Sequence, residues 1–303
     1  MAMVNSPRYA VCVLGPGGIG GLVAALLARA GHRVICLGRP DTVRALRTDG
    51  IRLHSTQFGE FGVQVEADTE LRERVDLCLI TVKQTALTAA VERLAPQVTG
   101  DALLVPLLNG IEHPGVLRRR YRPELVAPGV IRVESTRTAP GRIGHGSAFA
   151  EIDLAGSILV RERLTAWAWV LDNAGLRVRV QTDETAMLWR KLFALAPFAL
   201  MTTCYREPIG MVRTAHRAEL IALLGEVAEI CRAGGVEADV GAALRFYDGF
   251  PEGAMSSMLR DAAAGRPLEL DAIGGALLRA GAEHSVPAPL TRALVERVDA
   301  ASV

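Results

Sequence analysis

The chain reads as an α/β, Rossmann-like dinucleotide-binding domain followed by an all-α domain, and three observations predict this. Short apolar runs rich in β-branched residues alternate with helix-length runs through the first 180 residues, the pattern of a parallel sheet covered on both faces. The first of these runs leads directly into VLGPGGIGG, a glycine-rich turn that opens a helix. From Asp183 onward strand-like runs stop, and apolar residues recur at helical spacing. At 303 residues the chain is long enough for two cores, with a boundary near Thr182 and Asp183: residues 1–182 bind the dinucleotide, and residues 183–303 form a helical substrate domain. Asp183 suits a helix cap there.

The elements follow in order. YAVCVLG is the first strand, LVAALLARAG its helix, and HRVICLG the next strand, ending at Arg39. VDLCLITV (75–82) and ALLVPLL (102–108) are further buried strands, with QTALTAAVERLAPQV expected as an amphipathic helix between them. After Asn109 the pattern changes to ELVAPGVIRVEST and GRIGHGSAFAEIDLAG, strands joined by turns. RERLTAWAWVLDNAGL then reads as a helix and RVRVQ as a closing strand. AELIALLGEVAEICRAGG and DAIGGALLRAGAEH carry helical spacing.

Composition excludes several classes. Half the residues are hydrophobic, 22% are charged and the net charge is +1, which argues against nucleic acid or an acidic membrane surface as the main partner. No apolar stretch reaches spanning length, and MAMVNSPRYAVCVLG lacks the basic-then-apolar pattern of a leader, so a soluble cytoplasmic protein is expected. The five cysteines lie far apart and read as reduced thiols, those at Cys12, Cys36 and Cys78 buried in strands. His32, His113, His145, His216 and His284 have no partner at metal or triad spacing, and surface roles are expected for them. The apolar helical half is compatible with a homodimer.

In the glycine turn, Gly15 permits a tight bend, Gly17 lets backbone approach a pyrophosphate, and Gly20 lets helix and strand pack closely. The helix opened by Gly18, Ile19 and Gly20 offers amides and a partial positive charge to the same anion. An NAD site wants a carboxylate about 20 residues on. Here CLGRPD places Arg39 at the strand end, which suits the 2′-phosphate of NADP(H). Asp41 is the alternative ribose ligand, but it lies two residues later and behind a proline.

Only Lys83 and Lys191 are lysines among 34 basic residues. Where arginine serves nearly everywhere, a retained lysine points to chemistry that needs it. Lys83 ends a strand in ITVKQT, where a Rossmann domain presents its ligand crevice. Lys191 lies on an apolar helix, where an ammonium can donate a proton and a guanidinium cannot.

Taken with LLNG, LWRKL and SSMLRDAAAGRPLELD, these features resemble the ketopantoate reductase (2-dehydropantoate 2-reductase) family over nearly the whole chain. The resemblance implies NADPH-dependent reduction of a 2-oxo acid to a 2-hydroxy acid in a cleft between a Rossmann domain and a helical domain. It implies Lys191 as general acid, Glu269 orienting Lys191 and the substrate hydroxyl, Asn109 positioning substrate and lysine, and Ser257 binding the carboxylate. Lys83 and Asn109 would also reach the cofactor. Taken singly, Glu269 also reads as a solvated helix charge, Ser257 as a helix cap and Asn109 as an Asn-Gly turn.

The chain departs from the family on the substrate side. Asparagines that the family commonly carries are here Leu195, Ala199 and Ala254, so the surface beside Lys191 turns apolar. Pro197 is expected to kink the same helix. The substrate is expected to be 2-dehydropantoate or a related 2-oxo acid, and these departures favour one with a less polar side chain. The competing expectations are an NADP-dependent hydroxy-acid dehydrogenase of other substrate, and an NADP-binding regulatory protein without turnover.

Overall fold

The computed structural model describes residues 8–301; residues 1–7, part of the N-terminus read as lacking a leader, lie outside the described residues. The chain divides into two compact units, residues 1–108 with 113–184, and residues 109–112 with 185–303. No described helix is long and apolar enough to cross a membrane. No described cluster of His, Cys, Asp or Glu could hold a metal ion.

The first unit is built on a five-stranded parallel sheet of order β5-β2-β1-β6-β7, comprising β1 (Ala10–Leu14), β2 (Arg33–Leu37), β5 (Glu66–Asp68), β6 (Leu77–Ile80) and β7 (Leu103–Pro106). β6 and β7 are buried throughout, as are the last four residues of β1 and β2, because a central parallel strand is covered on both faces. This is why these strands read as continuous apolar runs. Cys12 lies in register with Cys78 of β6, and a hydrogen bond with that thiol, together with burial, holds it well above the ordinary range. Burial alone pushes Cys36 up to about 12. All three strand cysteines are free and buried.

Helices α1 (Gly18–Arg29) and α2 (Pro40–Asp49) follow the first two strands. A hairpin of β3 (Ile51–Ser55) and β4 (Gly59–Val63), for which the sequence reading gave no element, joins β9 (Ser135–Ala139) and β10 (Arg142–His145) in a sheet ordered β4-β3-β10-β9. A third sheet, β12-β11-β8, uses β8 (Gly129–Arg132), β11 (Glu151–Leu154) and β12 (Arg177–Val180), with α6 (Arg161–Asn173) between the last two in sequence. The helix expected over QTALTAAVERLAPQV is instead broken into short turns, among them α3 (Leu87–Ala90) and α4 (Pro96–Thr99). Pro96 lacks an amide and disfavours helical backbone at Ala95, which is extended with ψ 131°.

The histidine expectation fails at two places. His113, at the start of α5 (His113–Arg118), is 1% exposed, and His145 is 2% exposed. His145 pairs through Nδ1 with Ser55 Oγ at 2.7 Å and through Nε2 with Ser147 Oγ at 3.0 Å, and it stacks on Phe58. Burial lowers its pKa, and the neutral ring pins β10 to β3.

The second unit is helical around α7 (Glu184–Tyr205), followed by α8 (Ile209–Ala215), α9 (Arg217–Ala233), α10 (Val240–Asp248), α11 (Ser257–Ala263), α12 (Ala276–Glu283) and α13 (Pro289–Ala300). Its core gathers Leu192, Ala196 and Leu200 of α7 with Leu220, Leu224, Val227, Leu277 and Leu294. Asp271–Gly275 forms a π-helical turn, and a Cβ on Gly274 would lie 2.4 Å from Val295 of α13 and 3.3 Å from Leu200 of α7. The small residue lets that turn pack tightly on α13, with α7 next to it.

α7 runs unbroken through Pro197, which has no amide to give to the helix ladder. Beside it the Tyr247 hydroxyl donates to the Ala194 carbonyl at 2.7 Å and accepts from the Phe198 amide. Those two groups would otherwise bond each other across one helical turn, so a side chain is inserted in the ladder. Tyr247 is fully buried, and Tyr247→Phe strands both backbone groups away from water. The expected loss is about 1–3 kcal/mol of unfolding free energy, read by denaturant titration. Unchanged stability would mean that the helix closes its own bond.

Candidate active site

The glycine loop joins β1 to α1, with the Gly15 amide donating to the Leu37 carbonyl of β2 at 3.0 Å. Gly15 has φ +89°, a conformation that side-chain-bearing residues rarely adopt, and a Cβ there would strike Val82 at 2.6 Å. A Cβ at Gly20 would meet Thr81 Oγ1 at 2.2 Å, so the helix can approach β6 only without one. Thr81 donates to the Leu14 and Gly15 carbonyls at 3.0 and 2.8 Å, locking the turn.

Gly17 differs from its neighbours. A Cβ there would meet nothing nearer than the Gly15 carbonyl at 3.9 Å, so the backbone faces open space. α1 has no side-chain cap at Gly17 and no acid in its first turn, which leaves its first amides to an anion. The loop therefore fits a pyrophosphate. Gly18 sits under β9, whose Ser135 hydroxyl donates to the Gly18 carbonyl at 2.8 Å, and Ile19 packs on the first core.

Arg39, two residues past the end of β2, is exposed and caps α2 ahead of Pro40. Asp41, the competing ribose ligand, is exposed and engaged by Arg44. A second guanidinium, which sequence reading missed, arrives from β9: Arg137 Nη1 reaches within 3.5 Å of Thr42 Oγ1 in the first turn of α2. Arg137 lies 98 positions after Arg39, and only the placement of β9 across α1 brings it here. Lys83 follows Val82, the residue against Gly15, and is half-buried at the end of the β6 segment.

In the second unit Lys191 is half-buried on α7. Glu269 is 8% exposed, which removes the reading of it as a solvated helix charge. The Asn109 amide donates to Glu269 Oε2 at 3.0 Å across 160 positions. The adjoining Gly110 does make a turn, with φ +87°, and a Cβ there would lie 2.7 Å from the Ala272 carbonyl. The turn and the side-chain contact are thus one device.

The cap of α11 is Ser256, not Ser257: its Oγ accepts from the Leu259 amide at 3.0 Å and from Thr202 Oγ1 of α7 at 2.8 Å. Ser257, the first helical residue, is exposed. Of the apolar replacements, Leu195 and Ala254 are half-exposed, whereas Ala199 is 1% exposed and sits in the core. Ala199 therefore presents no surface to a substrate.

Comparison with known proteins places this arrangement. Residues 11–155 match the model described as Ketopantoate reductase PanE/ApbA, and residues 183–302 match that of its C-terminal part. A 2-dehydropantoate 2-reductase of Caulobacter vibrioides is 26% identical over 302 residues, covering 97% of this chain and 99% of that one. The crystal structure of 2-dehydropantoate 2-reductase from Geobacter metallireducens superposes with TM-score 0.89 at 28% identity, over 96% and 99% of the two chains. D-mandelate dehydrogenase with NADH and anilino(oxo)acetate shares the fold, with TM-score 0.90 at 19% identity over 97% and 98%. With both halves matched, a loop fit for a dinucleotide, and Lys191 and the buried Glu269 held in one unit, the chain is an oxidoreductase acting on CH–OH groups and belongs to the ketopantoate reductase family.

Proposed function

We propose that the chain reduces a 2-oxo acid, of less polar side chain than ketopantoate, to the 2-hydroxy acid with NADPH and with Lys191 as general acid. The observation that carries this reading is the buried Glu269 carboxylate, held by Asn109 in the unit that also holds Lys191. When bound, the reduced nicotinamide supplies a hydride. As that charge reaches the carbonyl carbon, negative charge grows on the oxygen. The Lys191 ammonium stabilises the oxygen and gives it a proton, an interaction stronger in the transition state than in the ground state. Glu269 orients the ammonium and the nascent hydroxyl, and Asn109 keeps the carboxylate from turning. Ser257 binds the substrate carboxylate through its exposed hydroxyl.

For the cofactor, Gly15, Gly17, Gly18, Ile19 and Gly20 take the pyrophosphate, Lys83 reaches the ribose side, and Arg39 with Arg137 takes the 2′-phosphate. The engagement of Asp41 by Arg44 supports NADPH over NADH. Less polar substrates are supported by the half-exposed Leu195 and Ala254, since a buried hydroxyl without a partner costs about 1–3 kcal/mol.

Lys191→Met is expected to lower kcat by roughly 10²–10⁴-fold, the range for losing a general acid, while NADPH binding measured by fluorescence stays near the parent value. Collapse of both together would make Lys191 structural. Arg39→Asp should lower the ratio of kcat/KM for NADPH over NADH by roughly 10- to 100-fold, and Arg137→Ala should lower it less. A ratio unmoved by Arg39→Asp would remove the 2′-phosphate assignment.

A further inference from the structure

Resting on the reductase reading above, we propose that the side chain of the 2-oxo acid is an aromatic ring, received by a wall of Leu195, Phe198, Phe250 and Phe246. Leu195 and Phe198 lie four and seven residues after Lys191, on the same stripe of α7. At 1.5 Å rise per residue they stand about 6 and about 10 Å from it along the axis, the depth of a phenyl group beyond a 2-oxo acid. Phe198 meets Phe250 edge to face at 5.5 Å between centroids, and Phe250 meets Phe246 the same way at 4.6 Å.

This apolar surface is only partly covered. Leu195, Phe198 and Phe250 are half-buried and Phe246 is 49% exposed, whereas Phe193 on another face of α7 is 8% exposed. Three of the chain's seven phenylalanines converge here, in a protein only 5% aromatic, so the concentration needs a reason. A ring entering beside an edge-to-face pair extends the same favoured geometry, which an aliphatic side chain does not.

The wall is also held rigid. Arg213 Nη1 donates to the Tyr247, Asp248 and Phe250 carbonyls at 2.8, 2.9 and 2.7 Å, fixing the turn that carries Phe250. Tyr247, inserted in the α7 ladder, binds the Phe198 amide and sets the backbone from which that ring projects. Ser256 ties the following helix to Thr202, one turn beyond Phe198 on α7. A preformed apolar wall receives a rigid ring with little ordering of either partner.

The test is steady-state NADPH consumption by the full chain with phenylpyruvate, phenylglyoxylate, 4-methyl-2-oxopentanoate, pyruvate and ketopantoate. One of the two aryl acids is expected to exceed ketopantoate and the branched aliphatic acid in kcat/KM by roughly tenfold or more. Phe250→Leu and Phe198→Leu, which keep the wall apolar, should lower the aryl-to-pyruvate ratio several-fold. A wild-type preference for ketopantoate or for the branched acid would overturn the proposal while leaving the reductase reading intact. Reduction of none of the five would overturn both, and because the wild-type panel decides, a variant that fails to fold changes nothing.

Discussion

A carboxylate taken out of water must be met by a donor, and Glu269 is the point at which the second unit satisfies that demand. At 8% exposure it has lost most of its hydration, and the Asn109 amide replaces part of it. The donor comes from residues 109–112, a segment that follows the last strand of the parallel sheet yet belongs to the helical unit. Three contacts hold the segment there. Asn109 binds Glu269, Gly110 lies against the Ala272 carbonyl, and Glu112 accepts from Nε and Nη2 of Arg279. Arg279 in turn holds Asp271, the first residue of the π-helical turn that follows Glu269. π-helical turns widen a helix and recur at functional sites, and this one carries the Ala272 carbonyl that faces Gly110 and begins two residues after Glu269.

Arginine forks bind paired carboxylates: Arg33 spans Glu66 and Glu73, Arg118 grips Glu184 with both arms, and Arg132 and Arg179 share Asp153. These pairs need planarity and a permanent charge. Lysine occurs only at Lys83 and Lys191, and the proposed roles of both call for a compact head or a transferable proton, which a guanidinium does not supply.

α7 shows how a local conflict is absorbed. A proline in the middle of a buried helix removes one bond and disturbs the next, and a free carbonyl there would be costly. The Tyr247 hydroxyl from α10 acts as donor and acceptor at once, so the helix continues with its ladder bridged. A break of helical regularity one and a half turns past Lys191 is tolerated because a neighbouring helix completes it.

Much of this was legible in residues alone. The parallel strands, the glycine turn and the helical second half declare themselves through local patterning, because burial and turn geometry act over a few residues, whereas the apolar residues Leu195 and Ala254 stand out only against the asparagines common in the family. Other features have no local signature. The hairpin at residues 51–63 is short and its β4 strand mostly exposed, so its periodicity is weak. His113 and His145 are polar residues whose burial depends on distant packing, and Pro96 divides a run whose apolar spacing imitates one helix. Ser256 and Ser257 are adjacent and identical, and only the approach of Thr202 makes the first a cap and leaves the second exposed. Sequence by itself determined the two kinds of architecture and the chemical types available. Which side chains meet was decided by tertiary structure, since Asn109 and Glu269, Arg137 and Thr42, and Phe198 and Phe250 are brought together by packing of elements that no short-range rule connects.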